Sequence, residues 1–145
     1  MAPLNRLANW DAHLVDFARD VAGQDHEWGT TDCASLVRRG LVAMMGKDVL
    51  KKHVGIWKTR RGALIASKKV NPADVLEASG AVEVGVRFAW AGDVAVGGGV
   101  DDHGMVQLAL LLPSRKALTS TPDRGVFILD RLGLAEGTRF WRHGG

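Results

Sequence analysis

Apolar residues at Leu7, Trp10, Leu14, Phe17, Ala18 and Val21 recur every three or four positions, the spacing of a helix that buries one stripe. That pattern predicts a first helix over residues 6–21, stopped by Gly23. The same period returns behind Cys33, where Leu36, Val37, Gly40, Leu41 and Met44 share a face and Gly46 closes the run. Thr30, Thr31 or Asp32 would cap this second helix. Residues 49–80 are less regular. They hold two short helical stretches, 61–69 and 72–78, the second announced by Asn71-Pro72. From Ala81 onward the period shifts to two: Val82, Val84 and Val86 alternate, as do Val94 and Val96 in a strand over 92–96. An apolar run follows His103 through residue 112. Residues 116–120 and 125–129 then read as a hairpin about Thr121-Pro122-Asp123-Arg124, and 138–142 as a last short strand. Helices first and an antiparallel sheet last is an α+β layout.

The length of 145 residues suits one domain with one core, taken as 1–145. No apolar run is long enough to span a bilayer, and the first residues lack the basic-then-apolar plan of a signal peptide. The expectation is synthesis in the cytoplasm without membrane insertion. A net charge of +3 is too small to argue for nucleic acid, and the lysines and arginines between Lys47 and Lys69 read as a solvated basic face. The lone cysteine rules out an internal disulfide and a thiolate-rich metal site; no cofactor and no metal are expected.

Chemistry changes the picture at two positions. Cys33 stands at the predicted start of the second helix, where unpaired N–H groups and the helix dipole favour a thiolate. His103 stands at the head of a predicted strand far downstream. A helix-borne Cys followed by a strand-borne His is an order that suits nucleophile and base in a Cys–His hydrolase. The competing reading of Cys33 is a small buried hydrophobe, and that of His103 a surface residue beside Asp101 and Asp102.

The stretch Trp28-Gly29-Thr30-Thr31-Asp32-Cys33-Ala34-Ser35-Leu36-Val37 resembles the Trp-Gly…Asp-Cys-Ser-Gly-Leu-Val signature of NlpC-type, papain-like cysteine peptidases, which cut the peptide stems of bacterial cell walls. Ala91-Gly92-Asp93-Val94 resembles the family's Gly-Asp strand, Asp102-His103-Gly104-Met105-Val106 its histidine strand, and the 116–129 hairpin its last one, so the likeness runs from residue 28 to 132. It implies a papain-like fold with helices packed on a small sheet, Cys33 as nucleophile and His103 as base. The family's third polar residue maps near Thr119, with Asp101, Asp102 or Asp130 as substitutes. His26 stands where the family often has a Tyr near the oxyanion, so it is either that donor or a loop residue. His53-Val54-Gly55-Ile56 matches the family's histidine tetrad but precedes the Gly-Asp strand, and is read as surface. His13 and His143 are read as helix-face and tail residues. The long middle segment looks most like a branch encoded in phage tail gene clusters. That implies a virion address at the tail tip, contact with tail hub or baseplate proteins, and peptidoglycan stem peptide as substrate. An inactive tail component and a bacterial hydrolase of another amide or ester are the alternatives.

Overall fold

The computed structural model describes residues 5–52, 54, 57–101 and 104–144. Its elements are α1 (Trp10–Val21), α2 (Cys33–Met45), α3 (Arg60–Lys69), α4 (Pro72–Ala78), β1 (Val82–Val84), β2 (Val94–Val100), β3 (Val106–Leu112), β4 (Lys116–Thr121), β5 (Gly125–Asp130) and β6 (Arg139–Arg142), with a 3-10 turn at Arg131–Gly133. The strands form one sheet in the order β1-β6-β2-β3-β4-β5, with every neighbouring pair antiparallel. The α+β expectation therefore holds at the level of class.

The helices sit where their caps put them. Asp32, Thr59 and Asn71 each accept a backbone N–H at the start of α2, α3 and α4, and Gly46, at φ 68°, ends α2. The first helix starts four residues later than its periodicity predicts. Leu7 N donates to Met44 O (2.8 Å) and Trp10 N to Leu7 O (3.1 Å), with Asn9 left-handed at φ 59°. The chain thus folds back on the end of α2 before it turns helical, and tertiary hydrogen bonding overrides the apolar stripe.

Alternation along the strands separates two faces. Val94, Val96, Leu110, Leu112, Leu118 and Trp141 point to the helices and join Leu14, Leu36 and Leu41 in the main core. Ala95, Ala109, Leu111, Ala117 and Phe140 form a thinner core on the opposite face. Gly40 lets α2 press on the sheet, because a Cβ there would collide with Cδ2 of Leu110. Adding that methyl would force the helix outward, at a cost of about 1–3 kcal/mol.

Three strand boundaries depart from the sequence pattern. β1 ends at Val84, because residues 85–88 close a turn (Phe88 N to Gly85 O, 2.9 Å) that leaves Val86 exposed. β2 runs on through Gly97–Gly99, glycines that weak strand propensity argued against, and its register with β3 breaks between Val96 and Val100. β3 begins at Val106 rather than directly after position 103. Gly104 has φ 78°, and Asp101 N pairs with Met105 O (2.7 Å) just ahead of the strand.

His143 is not a tail residue. It is fully buried, with Nε2 2.8 Å from Ser79 Oγ. Asp93, from the Gly-Asp strand motif, is buried beside it and takes Nε and Nη2 of Arg142 at 2.9 Å each, the amide of Trp90 at 2.8 Å, and Nη2 of Arg6 at 3.7 Å. This cluster ties both ends of the chain to the start of β2.

Candidate active site

A tight turn delivers Cys33. The amides of Thr30, Thr31 and Asp32 all converge on Glu27 O, and Thr31 Oγ1 donates to Asp25 O at 2.7 Å. Asp32 then caps α2 and is saturated. Its carboxylate accepts from Ser35 N (3.0 Å), Ser35 Oγ (2.8 Å), Gly29 N (2.6 Å) and Trp57 Nε1 (3.2 Å). Asp32 fixes the direction of the helix start and reaches across to the segment after α2. Ser35, which stands where the family signature has Gly, is absorbed by this cap.

Cys33 is the first residue of α2, and its Sγ accepts a hydrogen bond from Leu108 N on β3 at 3.4 Å. The sulfur therefore lies in the seam between helix and sheet, and Cys33 lines a cavity of about 100 Å³. Part of the residue's surface stays open to that cavity although protein surrounds the thiol. The aliphatic wall comes from α2, α3 and α4, through Val37, Ala63, Ala66, Val75 and Leu76. The polar end gathers His26, Asp101, Gln107 and Ser120.

Burial decides the state of the thiol. Its pKa is pushed up to about 12, first by desolvation and further by the negative charges of Asp32 and Asp101, while the amides of Leu108 and Ala34 pull it down. The sequence expectation was a thiolate favoured by the helix start. The N–H groups are there, but the interior position and two nearby carboxylates outweigh them.

The other candidate residues fall as follows. His26 lines the cavity and packs edge-on against Trp28, with ring centroids 4.3 Å apart. It is a half-buried loop residue that lines the cavity. Thr119 is buried but does not line the cavity. Its hydroxyl donates to Leu108 O (2.6 Å) and accepts from Gln107 Nε2 (2.6 Å), so it braces β3 against β4. Asp130 caps the 3-10 turn by accepting from Leu132 N. Asp101 accepts from Met105 N (3.1 Å) and lines the cavity. His103, Asp102 and His53 lie outside the described residues; Asp101 and Met105, on either side of the 102–103 pair, both line the cavity.

Two residues at the site escaped the sequence reading. Ser120 is 2 % exposed, lines the cavity, and among the described residues has no hydrogen-bond partner for Oγ. Gln107 donates to Ser120 O as well as to Thr119, which fixes the strand end beside Cys33. The period of two held a signal for Ser120. Leu118 faces the helices, so the residue two further on, and not Thr119, shares that face.

A groove of about 570 Å³ shares Ser67, Val70, Pro72 and Val106 with the cavity. It passes Gly97–Gly99 and is rimmed by Lys68 and Lys69. Arg139 also borders it but is held by Glu83 through two bonds of 2.6 and 2.7 Å. Among the described residues no group of three or more His, Cys, Asp or Glu is placed to hold a metal ion, and no helix is long and apolar enough to cross a membrane.

Fold and site together define an α+β protein that presents its only thiol from a helix start to a sheet-lined apolar cavity. The chain belongs to the DUF6950 family, described as a domain of unknown function, whose model matches residues 5–143. No curated protein matches it.

Proposed function

We propose that the protein is a cysteine hydrolase of the NlpC-like, papain-like type, with Cys33 as nucleophile and His103 as base. The observation that carries this reading is the placement of Cys33: first residue of a capped helix, sulfur against a strand amide, facing a cavity. In the reaction, Sγ forms a bond to a substrate carbonyl carbon while its proton passes to the imidazole. The carbonyl oxygen takes the negative charge, and backbone N–H groups at the helix start help hold it. The imidazolium then protonates the leaving amine as the C–N bond breaks. Water attacks the thioester, giving a proton back to the imidazole and releasing the acid as the C–S bond breaks. Burial raises the thiol pKa to about 12, so this reading starts from the protonated thiol. The base must therefore take the proton during attack rather than beforehand.

For substrate, the reading takes peptidoglycan stem peptide. The groove beside the cavity, with Lys68 and Lys69 on its rim and a floor without side chains at Gly97–Gly99, suits an extended chain bearing carboxylates. A place at a phage tail tip, among hub or baseplate proteins, is the setting that the family resemblance implies. Clearing of purified cell wall in a zymogram, abolished by Cys33→Ala and by His103→Ala, is the expected result. Equal clearing by the Cys33→Ala protein would overturn the assignment.

One observation favours a second reading, an inactive structural component of the tail. The raised thiol pKa, together with a Thr119 hydroxyl spent on bracing the sheet, describes a cysteine that serves as packing. Absence of hydrolysis by the parent protein, together with its presence in mature particles, is the outcome that reading requires.

A further inference from the structure

The cavity at Cys33 has a chemical character that the hydrolase reading does not dictate. Among the described residues its lining contains no lysine or arginine, and the ionisable groups that face it are the carboxylates of Asp32 and Asp101 together with His26. The rest of the lining is mainly apolar, aliphatic from α2, α3 and α4 with Trp28 and Trp57 beside it, and reaches into the main core through Val37, Val75 and Leu76. An anion entering here would lose its hydration, meet two acids and find no compensating cation. An alkyl group would replace an unfilled interior surface with contacts.

Among the polar residues of the lining, which include Ser67 and Gln107, Ser120 stands apart. Ser120 Oγ is buried, belongs to a residue that lines the cavity and has no hydrogen-bond partner among the described residues. A buried hydroxyl without a partner costs about 1–3 kcal/mol, so a ligand that offers it a hydrogen bond gains that much. Its neighbours are already committed: Thr119 to Leu108 and Gln107, Gln107 to Thr119 and Ser120 O, and Ser35 to Asp32.

We propose that this cavity is a binding pocket for the acyl side of the substrate, that it takes a short uncharged aliphatic group, and that Ser120 hydrogen-bonds the amide or ester attached to that group. The proposal rests on the hydrolase reading for the word acyl, but the pocket and its selectivity are properties of the folded chain and are tested without turnover. The carboxylates of a longer substrate lie outside, in the lysine-rimmed groove, and the uncharged group next to the scissile carbonyl lies inside.

The test uses the full chain carrying Cys33→Ala, which keeps the pocket and removes the nucleophile. Acetamide, propionamide, butyramide and pentanamide, with succinamic acid as the charged analogue, are titrated and followed by amide chemical shifts of Leu108 and Ser120. Affinity is expected to rise roughly fourfold per methylene until the pocket is full. Succinamic acid should bind at least tenfold more weakly than butyramide. Ser120→Ala should weaken butyramide severalfold, and Ala66→Phe, which fills the space from α3, should abolish its binding while the spectrum stays folded. Flat affinity along the series, tighter binding of succinamic acid, or no effect of Ala66→Phe would overturn the pocket and leave the hydrolase reading standing. Chain-length selectivity in this assay, combined with no wall clearing by the parent protein, would instead keep the pocket and remove the hydrolase.

Discussion

Two buried aspartates, Asp32 and Asp93, are satisfied in opposite ways. Asp93 is met by cations: Arg142 clamps it through two nitrogens and Arg6 stands at 3.7 Å. Among the described residues, Asp32 is met by neutral donors alone, two backbone amides, one hydroxyl and one indole. Charge at Asp93 is thus neutralised on the spot and joins the chain ends into a staple. Charge at Asp32 is solvated but not cancelled, and its field reaches Cys33, adding to the burial that chiefly keeps the thiol protonated. The same residue type makes a fixed joint in one place and an electrostatic environment in the other. The difference lies in whether arginine is within reach.

Removing one side of each arrangement separates the two roles, and the largest effect belongs to the staple. Asp93→Ala would leave Arg142 and the largely buried Arg6 without their counter-charge, at an expected cost of about 3–5 kcal/mol in urea unfolding. A loss below 1 kcal/mol would mean that the arginines turn to solvent and that no staple exists.

The staple also carries its own pH signal. Burial first, and the positive charge of Arg6 second, lower the His143 pKa from 6.5 to about 4, although Asp93 pulls the other way. Its Nε2 faces Ser79 Oγ, while Nδ1 has no partner among the described residues. A depressed folded pKa means that the unfolded chain binds the proton first. The stabilisation is complete above pH 6.5 and is lost as the pH falls through about 4, for a total of roughly 3 kcal/mol. Unfolding free energies between pH 4 and 7 should show that slope in the parent and a flatter one in His143→Gln. Parallel slopes would place the acid sensitivity elsewhere.

These two regions also differ in how much the sequence disclosed. The Asp32-Cys33 helix start was readable because a cap, an apolar period and a signature coincide within ten residues. The helix boundaries at 33–45, 60–69 and 72–78 came out within one residue for the same reason: each has a local cap. The staple was not readable. Arg6, Ser79, Asp93, Arg142 and His143 lie up to 137 positions apart, and nothing local marks His143 as interior. The delayed start of α1 and the glycine stretch in β2 were missed because partners distant in sequence, Met44 and β3, decide them. At the site, Cys33 and His26 were placed where the cavity is, while the choice of Thr119 over Ser120 took a motif position ahead of the strand's period of two.

A smaller effect tests the neutral arrangement. Asp32→Asn keeps an oxygen for Ser35 N but turns the other into an NH₂ that faces Gly29 N–H and Trp57 Nε1–H, donor against donor. The expected loss is about 2 kcal/mol, from a weakened cap and unpaired buried donors. The same change removes one of the two carboxylate charges that raise the Cys33 pKa, the other being Asp101. Iodoacetamide labelling against pH should therefore show a parent midpoint near 12 and a lower one in Asp32→Asn, with Asp101→Asn shifting it in the same direction. Stability follows the same sign. A thiol pKa raised from 9.0 to about 12 stabilises the fold below pH 9, and that contribution disappears as the pH rises toward 12. A parent midpoint near that of a free thiol would instead mean that neither burial nor the field of Asp32 raises the thiol, and the contrast between the two aspartates would reduce to one of packing.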